Sequence, residues 1–232
     1  MTEPAGDSGA TSRMANALLE AGLEGSGPLT GAADLAAQYL ADPRYADDEE
    51  RVAAMVRRET RKNFTSGFLT GLGGFITLPV AIPAALAASW VLQARLAGAI
   101  ASIYGHDLRS ERVRTKILLS LAGDVAREAM KDLGLKAEGR LTRRAVDQIP
   151  GRALVEINKR IGARMLARMG QRVVLKFPRA VPLLGGVVGG SLDAVVCRMV
   201  GRTAKAMFRP PAGGVIDGEA RPVRRRRLRR PD

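Results

Sequence analysis

Residues 63–94 carry no charged side chain, in a chain where 26% of all residues are charged. Such a run has few fates: it is buried in protein, crosses a bilayer, or lies in the bilayer surface. One helical crossing takes about 20 apolar residues, and this run is long enough. Its composition opposes a crossing. Pro79 and Pro83 stand in its middle, and Gly67, Gly71, Gly73 and Gly74 crowd its first half. Neither proline donates an internal helix hydrogen bond. Residues 77–83 therefore read as a break, with Pro83 in the first turn of a new helix. Beyond Pro83 the uncharged residues run out at Arg95, short of a full span. The residues predict a buried glycine-rich hairpin, with a spanning helix and a re-entrant or interfacial insertion as the alternatives. A shorter uncharged run, residues 180–192, repeats the pattern with Pro182, Gly185, Gly186, Gly189 and Gly190. The spacing of Gly186 and Gly190 suits close helix approach in membranes and soluble cores alike.

Around these runs the chain is charged and reads as helical. Residues 13–23 and 29–41 suit short helices with small apolar residues. Residues 46–63 begin with Asp47, Asp48, Glu49 and Glu50 and end with Arg57, Arg58, Arg61 and Lys62, a polarity that complements the helix dipole. Residues 84–104 form a small-residue helix that Gly105 ends. Val113, Ile117, Leu121, Val125, Ala129 and Leu133 recur every fourth residue, which predicts one apolar face of a helix over 109–133. Asp107 or Ser110 caps its start. A short helix over 141–149 precedes one from Pro150 to about Met169, with Leu154, Ile157 and Ile161 inward. Residues 173–177 read as a strand or a loop, and residues 192–208 as the last helix. The fold class is all-α: one helical domain over 46–208, with two glycine- and proline-rich apolar hairpins. It lies between an acidic, partly disordered segment (1–45) and a disordered Arg-rich tail (209–232). Aromatics make up only 4% of the chain against 46% hydrophobic residues, so the core must come from close approach of small side chains.

Charge points to the partner class. The formal net charge is +14, which favours an anionic partner such as nucleic acid or an acidic membrane face. Eight arginines fall in 209–232, including Arg224, Arg225, Arg226, Arg227, Arg229 and Arg230. Near an acidic bilayer each is worth about 1 kcal/mol. On nucleic acid each phosphate contact adds a counterion-release term, but no aromatic residues interleave the run to stack bases. The first 50 residues hold ten acids against two arginines, and this acidic head can fold back on the basic body. No N-terminal basic-then-apolar signal pattern is present, so the expected place is the cytoplasm, peripheral at the inner face of the membrane.

Catalytic and ligand-binding motifs are sparse. Gly71-Leu72-Gly73-Gly74 fails the dinucleotide fingerprint, because Ile76 stands where a glycine is needed, and no Gly-Lys-Ser/Thr follows. His106 beside Asp107 is half of a hydrolytic dyad, yet there is no Gly-x-Ser-x-Gly elbow and no second histidine for zinc. A capping and structural hydrogen-bonding role suits their place between two helices. Arg95, Lys176 and Asp193, charges close to apolar runs, are expected to pair with one another or with Asp107. Cys197, the single cysteine, reads as a buried, inert thiol. No metal or cofactor is expected.

The order of several segments resembles the EcsC protein family. They are Thr70-Gly71-Leu72-Gly73-Gly74 with Pro79 and Pro83; Tyr104-Gly105-His106-Asp107; Asn158; Lys176 with Pro178; Pro182 with Gly185; Asp193; and Phe208. The resemblance covers roughly residues 50–208. It implies a helical domain with a membrane connection, since the family's namesake is encoded beside the two parts of an ABC transporter. It transfers no catalytic residue. Together with charge and the apolar runs it predicts a non-catalytic, membrane-associated accessory or regulatory protein. The alternatives are a nucleic-acid binder working through the Arg-rich tail and a hydrolase using His106. A transporter is the protein partner this resemblance suggests; the oligomeric state stays open.

Overall fold

The computed structural model describes residues 7–72, 78–122, 146–172 and 182–210. Among these residues the chain forms α1 (Asp7–Glu24), a two-residue antiparallel ribbon of β1 (Gly25–Ser26) and β2 (Leu29–Thr30), and α2 (Ala32–Leu40). There follow α3 (Asp48–Leu72), α4 (Leu78–Ile103), α5 (Glu111–Ala122), α6 (Gly151–Arg172) and α7 (Pro182–Phe208). The all-α expectation holds. The Arg-rich run 224–230, the latter part of the stripe after Ala122, and the strand-or-loop 173–177 lie outside the described residues.

Local chemistry sets several helix starts. The Asp47 carboxylate accepts the Glu50 amide at 2.8 Å, and Glu50 reaches back to the Ala46 amide at 2.8 Å. These contacts satisfy amides that a helix start leaves without partners. Asp34 accepts the Gly31 amide at 3.3 Å at the start of α2.

The glycine and proline punctuation behaves differently from the expectation. The break at 77–83 is corrected: α4 begins at Leu78, so Pro79 lies in its first turn and Pro83 inside it. Pro83 forfeits only the bond to the Pro79 carbonyl, near the helix start, and leaves the later bonds intact. Likewise α3 runs on through Gly67 and Gly71 to Leu72, and α7 begins at Pro182 rather than 192, enclosing Gly185, Gly186, Gly189 and Gly190. Proline fits that first position because its missing N–H has no partner to lose there. A helical glycine costs about 1 kcal/mol against alanine, and the extensive packing of α3 on α7 offsets it.

The middle of the structure is α4, which touches every other described helix. Trp90, Ala94, Leu96, Ala97, Ala99, Ile100 and Ala101 are all buried, as befits a helix surrounded on all sides. No helix among the described residues is long and apolar enough to cross a membrane. The N-terminal segment, expected to be partly disordered, adds α1 and α2 to this core through Ala15, Leu19, Leu23, Leu35 and Ala36. Burial of these apolar residues supplies what their modest helix propensity does not. The acidic head also meets the basic body: both Glu20 oxygens receive the Arg114 guanidinium.

Small residues set the interhelical distances. A Cβ on Gly22 would lie 2.6 Å from the Val91 carbonyl oxygen and 2.8 Å from the Ala94 Cβ. On Gly201 it would lie 2.9 Å from both Val56 methyls. At Gly22 the obstacle is backbone, which cannot swing aside, so Gly22→Ala should lower unfolding stability by about 1–3 kcal/mol. Gly151→Ala, where a Cβ meets nothing within 4 Å, should stay within about 0.5 kcal/mol of the parent. Urea midpoints of the two variants check this; equal effects would refute the close-approach reading.

Candidate functional site

The segment after α4 is a helix stop built from backbone geometry. The His106 amide bonds the Ala101 carbonyl and the Gly105 amide bonds the Ser102 carbonyl, both at 3.0 Å. Gly105 sits at φ +80°, the left-handed conformation that this paired C-terminal motif needs. The Asp107 carboxylate accepts the Arg109 amide at 3.0 Å, and the Asp107 carbonyl accepts the Ser110 amide at 3.2 Å. Asp107 therefore shapes the turn into α5, where the Arg114 amide bonds the Ser110 carbonyl at 3.0 Å.

His106 faces the end of α7. Its Nε2 donates to the Phe208 carbonyl at 2.9 Å, and the two rings lie 5.2 Å apart. That proton donation commits Nε2 to a backbone oxygen and takes it away from use as a base. Tyr104, from the same segment, donates to Glu49 Oε1 at 2.7 Å. Glu49 also receives Lys205 at 2.6 Å and Arg209 at 3.0 Å. One carboxylate thus ties the start of α3 to the ends of α4 and α7. Burial pushes the Glu49 carboxyl up. The hydrogen bonds from Lys205 and Tyr104 and the charges of Lys205 and Arg209 together outweigh it and leave it below its ordinary value. Burial first, and then the bond to Glu49, push the Tyr104 phenol well above its usual range.

A polar seam continues along α3 and α7. Thr60 and Asn63 each donate to the Cys197 sulfur at 3.6 Å, and Asn63 also donates to the Glu59 carbonyl at 2.8 Å. Burial raises the Cys197 thiol pKa, with Thr60 opposing only in part; a thiol held protonated is a poor nucleophile. Asp193, one turn earlier, is also raised by burial. The expected pairing of Arg95 with Lys176, Asp193 or Asp107 is corrected. Buried Arg95 bonds the Thr30 carbonyl at 2.6 Å and hydroxyl at 2.7 Å, and it lies 3.7 Å from Glu59. The β1–β2 ribbon delivers Thr30 to that place, and no periodicity in the sequence announces it.

The other motif residues are spread through the fold. Asn158 on α6 donates to Glu111 on α5 at 3.3 Å. Beside it, Arg112 bonds the carbonyls of Val146, Asp147 and Ile149, and buried Lys116 pairs with Asp147 at 2.5 Å. Gly71, Pro79, Pro83, Pro182 and Gly185 lie within helices. Gly73, Gly74 and Lys176, like the six arginines between Arg224 and Arg230, lie outside the described residues. The structure thus joins His106 to Phe208 and Tyr104 to Glu49, while Asn158 meets Glu111. Among the described residues no group of His, Cys, Asp and Glu is placed to hold a metal ion. Sequence reasoning passed over a basic cleft beside α2 and α3, lined by Arg44, Arg57, Arg58 and Arg61. The available signal was the pair Tyr39 and Tyr45 flanking Asp42-Pro43-Arg44.

Residues 10–210 match the family model described as the EcsC protein family. The match starts well before residue 50, where the motif resemblance begins, and takes in α1 from its second turn and all of α2. No curated protein and no solved structure matches the chain.

The Glu49 junction makes stability pH-dependent in a definite direction. Its folded pKa is depressed from an ordinary value of 4.5. Its contribution is therefore present above about pH 4.5 and is lost as pH falls through the folded value. Glu49→Gln should lower the urea midpoint more at pH 7 than at pH 3. Tyr104→Phe should cost about 1.5–3 kcal/mol at pH 7, as expected for a hydrogen bond to a charged group. A Glu49→Gln deficit that does not change with pH would refute the assignment.

Proposed function

We propose a function from the premise that the chain belongs to the EcsC protein family: a non-catalytic accessory or regulatory protein that binds an anionic membrane surface from the cytoplasmic side. The observation that carries this reading is the antiparallel register of α3 and α7. Glu49 meets Lys205, Val56 meets Gly201, and Thr60 meets Cys197. Carried on at the same spacing, this register sets the end of α3 beside the start of α7. The uncharged stretches of the two helices, residues 63–72 and 182–192, then share one end of the bundle.

Charge and exposure support the same reading. Val195 is 61% exposed and Met199 51% exposed, one turn apart on α7, with Arg198 and Arg202 exposed beside them. Apolar side chains flanked by arginines suit the interface between headgroups and acyl chains. Arg95, the charge that ends the first run, is satisfied inward by Thr30 and Glu59. A membrane transporter is the protein partner this reading favours.

Two attractions add. The basic residues give an electrostatic part, screened within about 8 Å at physiological salt, and the uncharged end gives a salt-resistant part. The full chain should co-sediment with phosphatidylglycerol vesicles at low salt and far less with neutral ones. High salt should release most but not all of it. Replacing Arg224, Arg225, Arg226, Arg227, Arg229 and Arg230 with Ala should remove much of the salt-sensitive fraction. No binding at low salt would overturn the reading, and binding that resists both salt and carbonate would show an integral protein instead.

A further inference from the structure

The cleft between α2, the turn after it and α3 has a volume of about 480 Å³. Its charge is lopsided. Asp42 is the one carboxylate among its lining residues, and Arg44 already engages it through Nε at 3.0 Å and Nη2 at 2.6 Å. The side-chain bonds from Arg44, followed by its backbone amide, hold the Asp42 carboxyl down to about 2. Arg57 and Arg58 bring two further positive charges to the same space, and Arg61 lines it beside them. Arg57 and Arg58 have no carboxylate within ion-pair distance among the described residues.

Another part of the lining is held by its own contacts. Tyr39 and Tyr45 stack at 5.9 Å with 27° between their planes, and the Arg44 guanidinium lies 5.7 Å from the centre of the Tyr45 ring. The bidentate Asp42 contact holds that guanidinium in place. Tyr39 is only 4% exposed, yet its hydroxyl is buried with no hydrogen-bond partner at proper geometry. Arg58 stands close enough to offset only partly the burial that raises its pKa. A buried hydroxyl left unpaired costs free energy that a ligand acceptor would recover. Guanidinium groups matching the oxygen geometry of a phosphate, on a preorganised wall, form a receptor for that anion.

We infer that this cleft binds a phosphate monoester group, with Arg57 and Arg58 as its main charge contacts and the Tyr39 hydroxyl as a donor. The inference does not depend on the membrane reading, because the cleft is built from α2 and the first half of α3, away from the uncharged end. Two sources carry this chemistry: a soluble phosphate ester and a phosphatidic acid headgroup.

The test uses the full chain. Inorganic phosphate and pyrophosphate are titrated calorimetrically, and vesicles containing phosphatidic acid are compared with phosphatidylglycerol vesicles of equal surface charge. Saturable one-to-one binding of a soluble probe, or a preference for phosphatidic acid, is expected. Arg57→Gln with Arg58→Gln should weaken it about tenfold or more. A charge-matched control, Arg13→Gln with Arg152→Gln, should change it less than about twofold. Tyr39→Phe should change the urea midpoint little, since the hydroxyl proton has no acceptor among the described residues, and still weaken binding. A phosphatidic acid preference lost in the Arg57/Arg58 variant identifies the lipid source; soluble binding without that preference identifies the ester. Equal losses in the two double variants, or no binding of any probe, would overturn the proposal.

Discussion

The rest of the fold depends on how closely α3 and α7 lie against each other. Gly201 lets Val56 come within van der Waals reach of the opposing backbone. That approach in turn buries Thr60, Asn63 and Cys197 between the two helices. A larger residue at 201 would separate the helices along their length, because both are stiff rods that contact along a line. The seam is closed at one end by Glu49, which meets cations from α7 and the Tyr104 hydroxyl from α4. Apolar contact supplies most of the adhesion there, and the polar groups fix the register. A slide by one turn would leave Cys197, Glu49 and Lys205 facing the wrong partners.

The core formed by α4 depends on the same economy of volume. With few aromatic residues, the chain fills its interior by bringing backbones together at Gly22, Gly98 and Gly162. Arg95 is the exception, a buried cation on the central helix. Its three polar contacts reach the α1–α2 connection and Glu59. Buried charge of this kind adds less to stability than it specifies in geometry. It selects one placement of the β1–β2 ribbon over others that a small-residue surface would accept.

Periodicity revealed the helices whose faces differ in character. Val113, Ile117 and Leu121 on α5, and Leu154, Ile157 and Ile161 on α6, are buried as their spacing predicts. The start of α3 was visible because capping is local chemistry: Asp47 and Glu50 act within a few residues of themselves. The glycines and prolines misled because their intrinsic cost is a few kcal/mol at most, less than long-range packing returns. Neither α3 nor α7 could reveal, read alone, that the other lies alongside it. The arginine cleft was hidden for a related reason. Tyr39 and Arg58 belong to different helices, and in sequence Arg57, Arg58 and Arg61 look only like a complement to the α3 dipole. The structural role of Gly105 was legible because a helix stop needs one residue type in one conformation.

The bond from His106 to the Phe208 carbonyl fixes where the chain leaves the folded body. That exit point lies beside the start of α3, at the opposite end of the bundle from the uncharged runs. The two ends are separated by the 27 residues of α7, about 40 Å at 1.5 Å per residue. Whatever follows Phe208 therefore starts about 40 Å from the uncharged beginning of α7. The anchoring of one carbonyl thus fixes the origin of the C-terminal residues on the folded body.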